Sequence, residues 1–214
     1  MALELFPTPS WPRPSFYIPL YYELKKFPAK TEMAMQQLQQ ITGAPGQEVN
    51  SYWACDCQNL FFALEVPWQA ESHRHKARLW EDSLILNVSR QTDCQPAACY
   101  TSLGFAATGK KPQIIVINSY GVPFPQLDCS KIKYKLTAEA DKSLFTVAVP
   151  WSILRPLRPL LYETIAINLS IARRSEGEKA LFQLVADTNY DSESTHRRRL
   201  FPAGISPKLS NGAY

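Results

Sequence analysis

From Val49 onward the chain alternates apolar and polar positions with a period of two, the pattern of strands that bury one face. The stretches VNSYWACD and NLFFALEV, separated by Cys57 and Gln58, predict a hairpin whose second strand is almost wholly apolar. Further strands are predicted at DSLILNVS, CYTSLGFA, QIIVINS, IKYKLTAE, SLFTVAVP, TIAINLSIAR and ALFQLVAD, each bounded by Gly, Pro, Asn, Asp or Ser. Ahead of them, SFYIPLYYELKK reads as an extended, aromatic-rich segment interrupted by Pro19, and so as an edge strand. One short peripheral helix is expected at residues 31 to 42, TEMAMQQLQQIT, with Thr31 as its cap and Gly43 as its stop.

This spacing leaves no room for the crossover helices that a parallel sheet needs. The expected fold is all-β, an antiparallel β-sandwich of about nine to eleven strands. Its boundaries are read as a proline-rich arm over 1–14, a single sandwich domain over 15–207 and a tail over 208–214, with no internal repeat.

Composition sharpens this picture at few points. The 17 prolines, crowded at Pro7, Pro9, Pro12, Pro14 and Pro19 and again at Pro150, Pro156 and Pro159, disfavour helices. A charge of +4, from 23 basic and 19 acidic residues mixed along the chain, is too weak to argue for nucleic acid. Arg197-Arg198-Arg199 is the one dense basic run, too short to track a phosphate backbone. No stretch approaches the roughly 18 apolar residues of a membrane span, so no membrane partner is expected. Glu4 stands where a signal peptide would be basic, and the five cysteines have no disulfide rhythm. A cytoplasmic setting with unpaired thiols is therefore expected, or a secreted one had a leader been removed. The sequons at Asn87 and Asn168 fall inside predicted strands.

The chemistry-bearing residues are few. His73 and His75 lie on one side of an extended SHRHK, and Cys55 and Cys57 could join them, yet no spacing completes a zinc site; no metal is expected. No nucleophile elbow, phosphate loop or zinc helix occurs, and the eight glycines leave little room for one. Asp187, Asp191 and Glu193 read as a solvated loop. The segment LWEDSLILNV is more informative, since it puts Trp80 and Glu81 at the mouth of a strand. Such a ring is either a platform for a ligand or a cover for the end of the core.

Three stretches in order, VNSYWACDCQNLFFALEV, LWEDSLILNV and FTVAVPWSILRPLRPLLYETIAINLSIAR, resemble the family 9 carbohydrate-binding modules and their relatives in the DOMON-like superfamily. The likeness rests on Leu60-Phe61-Phe62-Ala63, on Trp80 to Ser83, on Val149-Pro150-Trp151 and on Ile165-Ala166-Ile167-Asn168, and it spans residues 49 to 201. It implies a β-sandwich, non-catalytic in the family's sugar-binding members, in which two tryptophans clamp a sugar ring at one end.

Trp80 matches the first clamp position, with one residue fewer before the Asp-Ser pair. Asn189 matches an asparagine beside the second tryptophan, which this chain lacks; Tyr190 or His196 could supply the missing ring. Ile85 stands where the family carries a glutamate, and CYTSLGFA has no arginine. A pyranose stacks its C–H face on an aromatic plane while its hydroxyls seek amide or carboxylate partners.

The expected function is therefore a non-catalytic carbohydrate-binding-like module without a cofactor, its cleft centred on Trp80 with Glu81 and Asn189 as polar partners. The rival is a protein-interaction sandwich that has lost the sugar site and binds a protein partner through exposed aromatics such as Tyr190 or the arm around Trp11.

Overall fold

A computed structural model describes residues 16–43, 46–68, 83–89, 100–106, 113–118, 128–138, 141–154, 164–175, 178–184 and 201–207. They form twelve strands: β1 (Phe16–Leu20), β2 (Ala34–Thr42), β3 (Val49–Cys55), β4 (Asn59–Val66), β5 (Ser83–Ser89) and β6 (Tyr100–Ala106), then β7 (Gln113–Asn118), β8 (Lys133–Ala138), β9 (Ser143–Pro150), β10 (Thr164–Ser175), β11 (Glu178–Gln183) and β12 (Phe201–Pro207). The all-β antiparallel sandwich expected from the sequence is the observed architecture, with β1 as the exception, since it pairs in parallel with β12 and β3.

The strands follow one another in a single curled sheet, β7-β6-β5-β10-β11-β2-β3-β4-β9-β8. Its two halves face each other, and the inward side chains of both make one core. Phe62 of β4 meets Phe105 of β6 edge to face across that core, with centroids 5.7 Å apart. The long strand β10 organises the closure. One of its edges carries β5; the other carries β12 along Thr164–Ile167 and β11 along Ser170–Ser175. Two strand pairs, β11–β2 and β12–β1, therefore bridge β10 to β3 on the same side of the sandwich.

The helix expected at residues 31 to 42 is absent. Only a single 3-10 turn forms, at Lys30–Glu32, and β2 follows it. Gln, Met and Leu are good helix formers, but this segment lies between β11 and β3, and ladder pairing on both edges overrides that local preference. Its burial has the period of a strand, with Leu38 buried between exposed Gln37 and Gln39. Gly43, read as a helix stop, instead ends β2 at φ +96°, where a Cβ would come within 2.7 Å of Ala180 Cβ.

The β3–β4 hairpin forms as expected, with Cys55 level with Leu60. Asp56 builds its turn: Oδ1 accepts from the backbone N–H groups of Gln58 (2.8 Å) and Asn59 (2.6 Å), and Oδ2 accepts from Leu24 N–H (3.2 Å). Trp151, at the Pro150 corner, is buried and donates from Nε1 to the Asp56 carbonyl at 2.9 Å. Its role is structural, as is that of Trp53, which is wholly buried and stacked on Phe62.

Cys55, Cys57 and Cys129 are free thiols, while Cys94 and Cys99 lie outside the described residues. Burial is the main cause that pushes the Cys55 thiol far above its ordinary pKa, with the neighbouring Asp56 and Cys57 adding to it. It is therefore a core thiol and not a nucleophile. Cys57 is exposed, so the two do not present a common ligand face.

Tyr134 on β8 turns inward, parallel to Phe145 and edge-on to Phe105, and its buried hydroxyl has no hydrogen-bond partner. Burial raises its phenol pKa far above the ordinary value. Tyr134→Phe is expected to leave stability unchanged or raise it by up to about 1 kcal/mol, because it removes an unpaired polar group. Urea denaturation checks this, and a clear loss of stability would mean that the hydroxyl has a partner.

Candidate functional site

Trp80, Glu81, Asn189, Tyr190 and His196 all lie outside the described residues, as do His73, His75 and the acidic cluster at Asp187, Asp191 and Glu193. The strands flanking them are described. Residues 69–82 lead into β5 at Ser83, and residues 185–200 lead out of Leu184 beyond β11. Both strands neighbour β10: Ser83 is level with Ala172, and Leu184 donates its N–H to the Leu169 carbonyl at 2.9 Å. Two strand spacings and three residues of rise put these anchor points on the order of 14 Å apart.

Between the anchors lies the outer face of β5, β10 and β11, which continues onto β6. The inward positions of these strands are Leu84, Leu86, Val88, Leu103, Phe105, Ile167, Leu169 and Phe182, all core residues. Apart from Ile85, the alternate positions are small or polar, and they are buried as well. Ser102, Asn87 and Asn168 are level across three strands, and the next row holds Gly104, Ile85, Ser170 and Gln183. Asn87, Asn168 and Gln183 are engaged by other groups, whereas Ser102 Oγ has no hydrogen-bond partner. Buried amides and hydroxyls are costly unless paired, so a run of them across strands sets orientation in a way that an apolar face cannot.

Sequence reasoning missed this row. Alternating Asn and Ser in a strand signal an outward face, and nothing in the pattern says that the face is buried. The two sequon asparagines, 2% exposed in the middle of strands, are out of reach of glycosylation in the folded chain. Ile85, at the position where the resemblance implies a glutamate, is buried on the same face, so the carboxylate is replaced by an apolar side chain.

Trp68 ends the described part of the chain before Trp80. It is buried, packs on Phe182 at 5.5 Å and carries the Arg173 guanidinium over its ring at 5.2 Å, which makes it core cover. Among the described residues no three His, Cys, Asp or Glu side chains come together as metal ligands would.

The chain's sequence matches no family model and no curated protein. Its fold does match solved structures. A family 9 carbohydrate-binding module from Caldicellulosiruptor kristjanssonii in complex with cellotriose superimposes with a TM-score of 0.67 at 10% identity, over 93% of this chain and 97% of that one. This is the family 9 carbohydrate-binding-module fold. A family 9 module from the same organism in complex with glucose gives 0.66 at 9% identity, over 93% of this chain and 99% of that one. A candidate carbohydrate-binding protein from Bacteroides uniformis gives 0.57 at 9% identity, over 89% and 98%. The family 9 fold thus accounts for 93% of the chain.

Proposed function

We propose that the protein is a non-catalytic saccharide-binding module whose cleft is centred on Trp80, with Glu81 and Asn189 as hydrogen-bonding partners and Tyr190 or His196 as the opposing ring. The observation that carries this reading is the shared fold: two family 9 modules in complex with cellotriose and glucose match this chain over 93% of its length. The sequence resemblance adds an aromatic residue and an asparagine at corresponding places, and the flanks of their two segments lie on neighbouring strands beside β10. A sugar ring stacks on the indole through its C–H face, and its hydroxyls bond to the carboxylate and amide. No cofactor takes part in this binding.

The test is a titration of intrinsic fluorescence with mono- and oligosaccharides, run beside thermal unfolding. Trp80→Ala is expected to abolish the saccharide response while costing less than about 1 kcal/mol of stability, since a stacking platform is not packed into the core. A wild type without any saccharide response, together with a variant destabilised by roughly 3 kcal/mol or more, would sink the sugar cleft. The rival reading, a protein-interaction sandwich that has lost the site, would then stand; Ile85 in place of the acidic residue is the observation in its favour.

A further inference from the structure

The opposite half of the sandwich carries a groove that the saccharide reading does not use. It lies on the outer face of β4, β9 and β8, where Lys133, Ala148 and Phe61 are level across the three strands, with Lys135 level with Thr146 in the neighbouring row. The loop over residues 21–29 forms its other wall. That loop is fastened to the β3–β4 hairpin by the Tyr21 N–H on the Cys55 carbonyl (2.9 Å) and by the Leu24 N–H on Asp56 Oδ2 (3.2 Å). Phe27 closes the floor edge-on to Phe61, with centroids 5.8 Å apart. These ties hold Lys25 and Lys26 beside the groove that Lys133 and Lys135 line from the strand.

Four lysines therefore line one open cavity of about 230 Å³, and no Asp or Glu lines it among the described residues. None of the four is ion-paired there, whereas the nearby outer-face carboxylate of Glu65 is taken by Lys30 and Lys142. Four unpaired like charges around one cavity repel one another, and an anion relieves that repulsion. The remaining lining narrows the anion's chemistry. The floor of Leu24, Phe27, Phe61 and Ala148 is apolar, and Asn59 and Thr146 add an amide and a hydroxyl. The Thr146 hydroxyl donates to the Lys135 carbonyl and keeps its lone pairs available. An inorganic anion has no use for an apolar floor. A sugar with a charged substituent uses all three features: its C–H face, its hydroxyls and its charge. A cavity below the ~300–1,000 Å³ of drug-sized sites suits one or two sugar units.

We propose that this lysine-lined groove is a second ligand site, on the other half of the sandwich from β5, which takes an acidic saccharide whose charge is a carboxylate or a sulfate. The site does not depend on the Trp80 cleft, and the experiment keeps the two apart. Calorimetric titration of the whole protein would compare an oligogalacturonate, a sulfated oligosaccharide, a neutral oligosaccharide of equal length and a poly-glutamate peptide, at low and at raised salt. Binding of either acidic saccharide is expected, weakening as salt rises. The double variant Lys133→Gln/Lys135→Gln is expected to weaken it by about tenfold, two exposed charge contacts being lost. The double variant Lys25→Gln/Lys26→Gln should act in the same direction, and Trp80→Ala should leave it intact. Which acidic saccharide binds tells carboxylate from sulfate. The proposal is overturned if, in the Trp80→Ala protein, neither acidic saccharide binds, the neutral one binds equally well, the peptide binds more tightly than both, or the lysine variants leave binding unchanged. In that last case Lys133 and Lys135 would serve only as charged guards of an open strand edge.

Discussion

Replacing Trp53 by alanine is expected to cost about 3–5 kcal/mol, a large share of the total stability of a domain this size. The indole is wholly buried, stacked on Phe62 with centroids 5.4 Å apart and tilted against Phe16 at 6.4 Å. Its Nε1 donates to Ser51 Oγ at 2.9 Å, and that hydroxyl donates to the Gln36 carbonyl on β2 at 2.9 Å. Truncation removes the stacking partner of β4 and the donor that orients Ser51, and leaves a cavity that rigid strands on both sides cannot fill. Trp53→Phe keeps the ring and loses only the donor and some volume, so a loss of about 1–2 kcal/mol is expected. Chemical denaturation of both variants checks the order. Equal small losses would show that the indole is not a keystone between the halves.

The second large effect is expected at Asp56, although this residue lies in a turn. Its carboxylate is buried and receives three backbone N–H groups, from Gln58, Asn59 and Leu24. Asp56→Ala leaves those donors without their acceptor, at a cost of about 3 kcal/mol. Asp56→Asn retains an acceptor oxygen and loses charge, so a smaller cost is expected. The readout that distinguishes a tether from a local turn is hydrogen exchange. In Asp56→Ala the amide of Leu24, 32 residues away in sequence, should lose protection together with those of Gln58 and Asn59. Protection of Leu24 unchanged from the wild type would mean that the loop over residues 21–29 is held by other contacts.

Much of the fold was legible because the inward positions are large and regularly alternating. Apart from their exact register, the runs at NLFFALEV, DSLILNVS and SLFTVAVP each became a strand that contributes large apolar side chains to the core. The corner tryptophan, Trp151, covers the core beside the strand-ending Pro150, where the sequence showed it only as part of the family likeness. Two strands were not legible. β2 is built from residues that favour helices, and only its neighbours on either edge make it extended. β12, FPAGISP, carries two prolines and a glycine, and it is ordered by β1 and β10 and not by its own propensity. The site divides in the same way. A single ring before an acidic pair can be seen in a sequence, but the buried Ser102, Asn87 and Asn168 row exists only once three strands fix its register. The lysine groove likewise joins Lys25 and Lys26 to Lys133 and Lys135, which are more than a hundred positions away along the chain.

The β12–β1 bridge has a consequence for the order in which the chain acquires its structure. Phe16 is level with Ala203, so the pairing joins strands from opposite ends of the described chain, and the entropy of closing so long a loop must be met before the pair forms. The β3–β4 and β5–β6 hairpins need only local contacts and can form early. During synthesis, β1 is exposed long before its principal partner emerges from the ribosome. Its alternating Phe16 and Ile18, both destined for the core, stay open to other chains throughout that interval. Completion of the sandwich therefore waits for β12, and the last of the described strands to be made is the one that shelters the first.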